Sequence, residues 1–259
     1  MNTIINNQFV CQCCGTTTPL FDEEITVSLI GNNGVIQKKV CYECAEKIKK
    51  NDPRYLNKSV RFLDPEMQEF EEHRKQQWEK VNDYWKNDFL TNHQDAKMTK
   101  VIVGTRHYER SVDVIDPCYG SDTLCGMRLP IATGEYTCAA WNMNYQNTDI
   151  NGTFEVDDLE IVGVYLNGEI PTHDEMIKVG VIGADSGLFG IFDVKENLDL
   201  AAWLEAKLQD KDDFGRFSIQ DIGFVSSWGD IDLKVYVAIN NGEIVAVELR
   251  MCDYIPRGQ

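Results

Sequence analysis

Cys11-Gln12-Cys13-Cys14 and, 26 residues on, Cys41-Tyr42-Glu43-Cys44 are two C-x-x-C knuckles, and the fold of the first 50 residues turns on how they are read. Nine cysteines occur in the chain, an odd number, and five of them fall before residue 45. A secreted disulfide framework is usually even in cysteine and follows a signal peptide. Here Met1 to Phe9 is polar and lacks the basic-then-apolar order of such a signal, so a cytoplasmic location is expected. In a reducing compartment paired knuckles point to metal. Zn2+ prefers four tetrahedral thiolates in structural sites, and Cys11, Cys14, Cys41 and Cys44 supply four. Cys13 is a competing thiol, although its C-x-C and C-C spacings suit a knuckle less well.

Between the knuckles, Ile25–Ile30 and Val35–Val40 flank Gly31-Asn32-Asn33-Gly34, the pattern of a hairpin. Ala45 to Lys50 follows Cys44 as a short helix. Knuckle, hairpin and a helix carrying the last two ligands resemble the treble-clef zinc fingers over residues 8–50. The resemblance implies a small module whose folding is driven by its metal, because such a segment cannot build a sufficient core alone. Treble clefs serve both nucleic-acid and protein contact. The basic residues Lys38, Lys39, Lys47, Lys49, Lys50, Arg54, Lys58 and Arg61 are opposed by Asp22, Glu23, Glu24, Glu43 and Glu46, with no aromatic platform among them. Protein contact or structural bracing is therefore favoured over direct nucleic-acid contact.

Outward from the knuckles, residues 51–97 read as a loop, Asn51 to Leu63, and a linking helix. Asp64-Pro65-Glu66 is a helix start, with an Asp cap, Pro in the first helical position and an acid in the first turn. Met67, Phe70, Trp78, Val81, Trp85 and Phe89 recur at helical steps, predicting a long amphipathic helix to about Asn92. Packing of its stripe on the chain's own β domain is the favoured expectation, and an oligomer or partner face over residues 65–92 the alternative.

From residue 98 to 259 the texture changes to short β-prone runs punctuated by Gly, Asn, Asp and Pro, among them Val101–Val103, Val112–Ile115, Tyr136–Trp141, Ile161–Tyr165, Val235–Ile239 and Ile244–Val247. Asn241-Gly242 sits between the last two as a two-residue type I′ hairpin turn. Leu198 to Leu208, with Leu200, Trp203, Leu204 and Leu208 on one face, reads as a helix. The expected class is α+β: a zinc-binding module, a long amphipathic helix, then a mainly antiparallel β domain, sandwich or barrel, with one packed helix.

That last domain holds most of the charge. The chain's net charge is −17, and residues 98–259 carry 12 Lys/Arg against 27 Asp/Glu. Such a surface repels phosphate backbones and anionic membranes and favours basic partners, including nucleic-acid-binding proteins that an acidic surface could mimic DNA to engage. No apolar run reaches the length of about 18 residues that spans a membrane.

Asp113-Val-Ile-Asp-Pro-Cys-Tyr119, Gly183-Ala-Asp-Ser-Gly187 and Ser226-Ser-Trp-Gly-Asp230 stand out within it. The order Asp-Pro-Cys-Tyr, Asp-Ser-Gly and Trp-Gly-Asp before a terminal hairpin is similar to an uncharacterised β-rich domain of hypothetical bacterial and phage proteins, over residues 100–253. Ile231 stands where relatives often have Gly. The resemblance implies a fold without an established activity, and a bacterial or phage setting of host interaction or defence antagonism. Physically, Asp beside Gly or Pro at a strand end caps a turn through backbone N–H groups. If Asp116, Asp185 and Asp230 converged, they could instead hold a cation or share protons in a metal-assisted hydrolase. His73, His93, His107 and His173 are distant in sequence from Ser186 and Ser227, no nucleophile elbow is present, and neither a P-loop nor a dinucleotide fingerprint occurs. Cys118 and Cys125 flank tight turns and read as small buried residues or as a second pair; Cys138 and Cys252 read as core. The leading expectation is a zinc-stabilised, non-catalytic interaction protein.

Overall fold

Ile25, Val27 and Leu29 alternate along the first strand and are almost fully buried, which is the period-2 signature of one sheet face turned to a core. The computed structural model describes residues 9–17, 23–32, 34–62, 65–116, 126–184, 188–193, 217–219, 223–227 and 231–251. The chain divides into two units, one of Met1–Gly31 with Val35–Asn92 and one of Asn32–Gly34 with His93–Gln259.

In the first unit the central strand is β1 (Glu23–Gly31), flanked by β2 (Gly34–Val40) and β3 (Tyr55–Phe62) in the order β2-β1-β3. Helix α1 (Tyr42–Asn51) lies between β2 and β3 in sequence. Its Ala45, with Cys44, joins Phe9, Cys11, Ile25, Val27, Leu29 and Val40 in one cluster, against which Ile48 and Tyr55 pack. β3 corrects the expectation of a loop over 51–63. It pairs antiparallel with β1, Ile25 opposite Val60, and buries Leu56 while Asn57, Lys58 and Ser59 stay at the surface or partly so.

Helix α2 (Pro65–Asn92) runs for 28 residues. Its stripe is not buried: Met67, Phe70, Trp78, Val81, Tyr84 and Trp85 are all exposed. A hydrogen bond from Arg61 Nη2 to Gln68 Oε1, 3.1 Å, ties its first turn to the end of β3.

The second unit contains two antiparallel sheets. The larger has the order β4-β7-β8-β14-β13-β9, formed by β4 (Lys97–Tyr108), β7 (Gly134–Asp149), β8 (Gly152–Leu166), β9 (Ile177–Ala184), β13 (Ile231–Asn240) and β14 (Glu243–Arg250). The smaller has the order β11-β12-β10-β5-β6, from β5 (Ser111–Ile115), β6 (Gly126–Pro130), β10 (Leu188–Asp193), β11 (Phe217–Ile219) and β12 (Gly223–Ser227). Tyr108 on β4 bridges them, its hydroxyl donating to the Ile191 carbonyl on β10 at 3.1 Å. Asn241 and Gly242 both have positive φ, 51° and 82°, as the type I′ turn between β13 and β14 requires.

These findings overturn the α+β class. The described residues form a mostly β protein of three antiparallel sheets, with α1 and α2 as their only α-helices and one 3-10 turn at His173–Glu175. The long helix is not a packed amphipathic element, because periodicity fixes which residues share a face but not what covers that face. The packed helix expected at Leu198–Leu208 lies outside the described residues.

One polar network is sealed inside the larger sheet's side chains. Trp141 Nε1 donates to the Tyr165 hydroxyl at 3.1 Å, and that hydroxyl donates to Glu248 Oε1 at 2.8 Å. Arg250 Nε donates to Glu248 Oε2 at 2.9 Å, its guanidinium lies 3.9 Å from the Tyr236 ring centroid, and its Nη1 reaches His173 Nε2 at 3.2 Å. Glu248 and Arg250 are both fully buried, an arrangement tolerated only when each charge is paired and hydrogen-bonded. Gly163 makes room for it: a Cβ there would stand 2.7 Å from Tyr165 Cζ and 3.1 Å from Glu248 Cγ. Gly163→Ala is therefore expected to destabilise the β unit by about 1–3 kcal/mol, the usual cost of overpacking. Urea unfolding followed by Trp fluorescence checks this, and an unchanged midpoint would refute it.

Candidate metal centre

The first knuckle is shaped by its backbone. Val10 and Thr17 form an isolated antiparallel bridge, Cys11 N donates to Thr16 O at 2.9 Å and Gly15 N donates to Cys11 O at 2.9 Å. Gly15 closes the turn with φ +74°, a left-handed conformation that L side chains rarely adopt. Gln12 ties the knuckle to β2 from both sides: its N–H donates to Lys39 O at 3.0 Å, and its Oε1 accepts from Lys39 N at 2.8 Å. The second knuckle is the start of α1. Cys41 is its N-cap and Cys44 sits in the first turn, where backbone N–H groups and the helix dipole favour negative charge.

The two knuckles bring Cys11, Cys14, Cys41 and Cys44 together, with all four Sγ atoms within 4.8 Å of one another. Cys14 Sγ and Cys41 Sγ are 3.8 Å apart. That is far longer than a disulfide bond of about 2.05 Å. It matches the edge of about 3.8 Å of a sulfur tetrahedron around a metal held at about 2.3 Å. All four are free thiols. Cys13 is exposed and stands outside the cluster, its backbone N–H directed at Cys11 Sγ from 3.4 Å.

The surroundings of the four thiols pull their acidities apart. Burial opposes ionisation of Cys11, but the backbone N–H groups of Cys14, Cys41 and Cys13 outweigh it and lower the thiol from 9.0 to about 6. The Thr16 hydroxyl, 3.2 Å from Cys14 Sγ, and then the Thr16 backbone draw Cys14 downward too. At Cys41 the Cys44 backbone favours the thiolate, yet burial and the neighbouring Cys14 and Cys11 sulfurs prevail and raise it. Burial, followed by the Cys41, Cys14 and Cys11 sulfurs, pushes Cys44 well up. Cys11 and Cys14 are drawn toward the thiolate, whereas burial, and then repulsion from the neighbouring sulfurs, hold Cys41 and Cys44 toward the neutral thiol. A dication at the centre removes that repulsion and lets all four become ligands. The residues present thus fit a metal ion.

Spacing alone does not single out Thr16 or Gly15. Gly15 directly follows Cys14 and marks the tight turn, while Thr16 gives no sequence signal of its role. Of the hydrolase carboxylates, Asp116 is fully buried, and Asp185 and Asp230 lie outside the described residues. So do Cys118, Cys125, Cys252 and Ser186, along with the side chain of Ser227. Cys138 is buried in β7, where burial raises its thiol to about 11. His107 is paired with Glu135, 2.9 Å away.

No protein-family model, curated protein or solved structure matches this chain. Among the described residues, no helix is long and apolar enough to cross a membrane.

Substituting a cluster thiol separates it from its neighbour. Cys44→Ser is expected to lose the metal and Cys13→Ser to keep it, as read by metal-to-protein ratio after gel filtration. Because the ligands bind as thiolates, metal binding releases protons, so affinity falls as pH falls. Stepwise acidification with a chromogenic chelator should release the ion, and release that did not depend on pH would contradict thiolate ligation.

Proposed function

We propose that Cys11, Cys14, Cys41 and Cys44 hold a structural Zn2+ ion in a treble-clef-like arrangement, and that the chain is a non-catalytic interaction protein whose β unit engages a basic partner. The observation that carries the zinc proposal is the closed set of four sulfurs. Four thiolates leave no open coordination position for substrate, the hallmark of structural rather than catalytic zinc. The order knuckle, hairpin, helix agrees with that resemblance, and α1 supplies the last two sulfurs from its cap and first turn.

The partner proposal is supported by charge. Glu109, Glu135, Glu155, Glu169, Asp174 and Glu243 are exposed on the second unit. Three basic residues of the first unit are engaged at home: Lys39 with Glu24 at 2.9 Å, Arg54 with Asp52 at 2.8 Å, and Lys58 with Glu46. This favours a basic protein, one that itself binds nucleic acid, over direct contact with a phosphate backbone. Host interaction or defence antagonism in a bacterial or phage setting is the role that the β-domain resemblance implies for such a contact.

Elemental analysis of protein purified without added metal is expected to find one zinc per chain; iron with a thiolate charge-transfer band would overturn the assignment. Chelation should unfold the first unit, since metal binding contributes about 10–16 kcal/mol in zinc-finger peptides, while leaving the β-sheet signal of the second. The partner reading is tested by capture on the immobilised full chain from bacterial extract. Retained proteins should be basic, should be displaced by added DNA, and should elute as salt rises. Retention insensitive to salt and DNA would overturn it.

A further inference from the structure

The largely exposed stripe of α2 has an internal symmetry. Met67, Phe70, Arg74, Trp78, Val81, Trp85, Phe89 and Asn92 follow one another at steps of 3, 4, 4, 3, 4, 4 and 3 residues. The 11-residue period, about 3.67 residues per turn, keeps this line nearly parallel to the helix axis. The step pattern is also palindromic, centred between Trp78 and Val81. A palindrome is what an antiparallel pair of identical helices related by a two-fold axis requires, because each stripe residue must then meet a stripe residue.

We propose that two copies of this chain associate through α2, antiparallel, with that axis passing between Trp78 and Val81. In this register Trp78 of one copy lies against Val81 of the partner subunit, Phe70 against Phe89 of the partner subunit, and Met67 against Asn92 of the partner subunit. Arg74, the one cation in the stripe, lies over Trp85 of the partner subunit.

Three observations carry the proposal. The first is area. Phe70, Trp78 and Trp85 are 60%, 63% and 57% exposed, and Met67 and Val81 are 40% and 43% exposed. With aromatic side chains of about 150–250 Å², the stripe offers about 400–600 Å² of apolar surface per copy. Standard specific interfaces bury about 800 Å² per partner, so the stripe with its polar margins reaches that class. The second is stability. Helices draw most of their stability in water from packing one face, and α2 is about 42 Å long with Phe70, Trp78 and Trp85 exposed along it. The third is charge. Arg74 is held by Glu71 at 2.8 Å on the stripe's margin. A parallel pair in register would oppose Arg74 to Arg74 along the seam, a like-charge contact without compensation. The antiparallel register replaces it with two cation–π contacts.

Sedimentation velocity of the full, metal-loaded chain over a micromolar concentration series tests this. The expected result is a reversible species of twice the 29.5 kDa chain mass. Trp78→Glu combined with Trp85→Glu alters only exposed side chains, so far-UV circular dichroism should be unchanged while the dimer dissociation constant rises about a hundredfold or more. Arg74→Gln tests the orientation. It should weaken the antiparallel dimer at least about fivefold, two cation–π contacts being lost per pair. A parallel dimer would instead be strengthened by the same change. A monomer throughout the series, a dimer indifferent to the double tryptophan change, or a dimer tightened by Arg74→Gln would each overturn the proposal.

Discussion

Four sulfur atoms confined within 4.8 Å set the terms for the first unit. They sit between β2 and α1: one pair in a turn pinned to β2 through Gln12, the other at the start of α1. The apolar cluster around them contains two of the sulfurs themselves, Cys11 and Cys44, beside Ile25, Val27, Leu29 and Val40. A core of this size yields roughly 1.5–3 kcal/mol per buried aliphatic side chain, against an ordering cost of about 1–2 kcal/mol for every residue fixed. Packing alone leaves such a unit marginal. A cation held by the four sulfurs would supply the missing stabilisation.

The second unit solves the same problem by a different route. Its sheets bury Val112, Val114, Val162, Val164, Val235, Val237 and Val247 completely, and the interior is large enough to enclose a charge pair. Glu248 and Arg250 lie two residues apart on one strand and hence on one face, where the Tyr165 hydroxyl bonds Glu248, His173 meets the guanidinium, the Tyr236 ring lies against it and Trp141 bonds Tyr165. Such a network adds directionality to a core rich in aliphatic side chains. Gly163, on the strand beside Glu248, is the concession in volume that permits it.

What the sequence discloses depends on how local the deciding interaction is. The knuckles are legible because metal ligation imposes short spacings, and Asn241-Gly242 because two consecutive positive-φ residues are its whole requirement. β3 is not legible: Asn57-Lys58-Ser59 resembles a surface loop, and only pairing with β1, which lies about 30 residues away, makes it a strand. The α+β expectation failed for a related reason. It gave weight to helical periodicity, whereas the bulk of the described chain is strand, in β7 and β8 for 16 and 15 residues at a stretch. Tyr165 and Glu248 are separated by 83 residues, and nothing near either one announces the bond between them. For the carboxylates, turn chemistry around Asp116 offered two meanings, and its complete burial is a fact of packing that no spacing records.

Strand order also dictates when the larger sheet can close. β8 is paired on one side by β7, its immediate predecessor, but on the other by β14, which a ribosome delivers roughly 80 residues later. Until then a nascent chain presents β8 as a bare edge, the kind of surface that recruits stray strands. The β13–β14 hairpin, nucleated by its own two-residue turn, can arrive preassembled and dock as a unit, carrying Glu248 and Arg250 inward together as an already neutralised pair. Assembly of the sheet is thereby gated by its most distal hairpin.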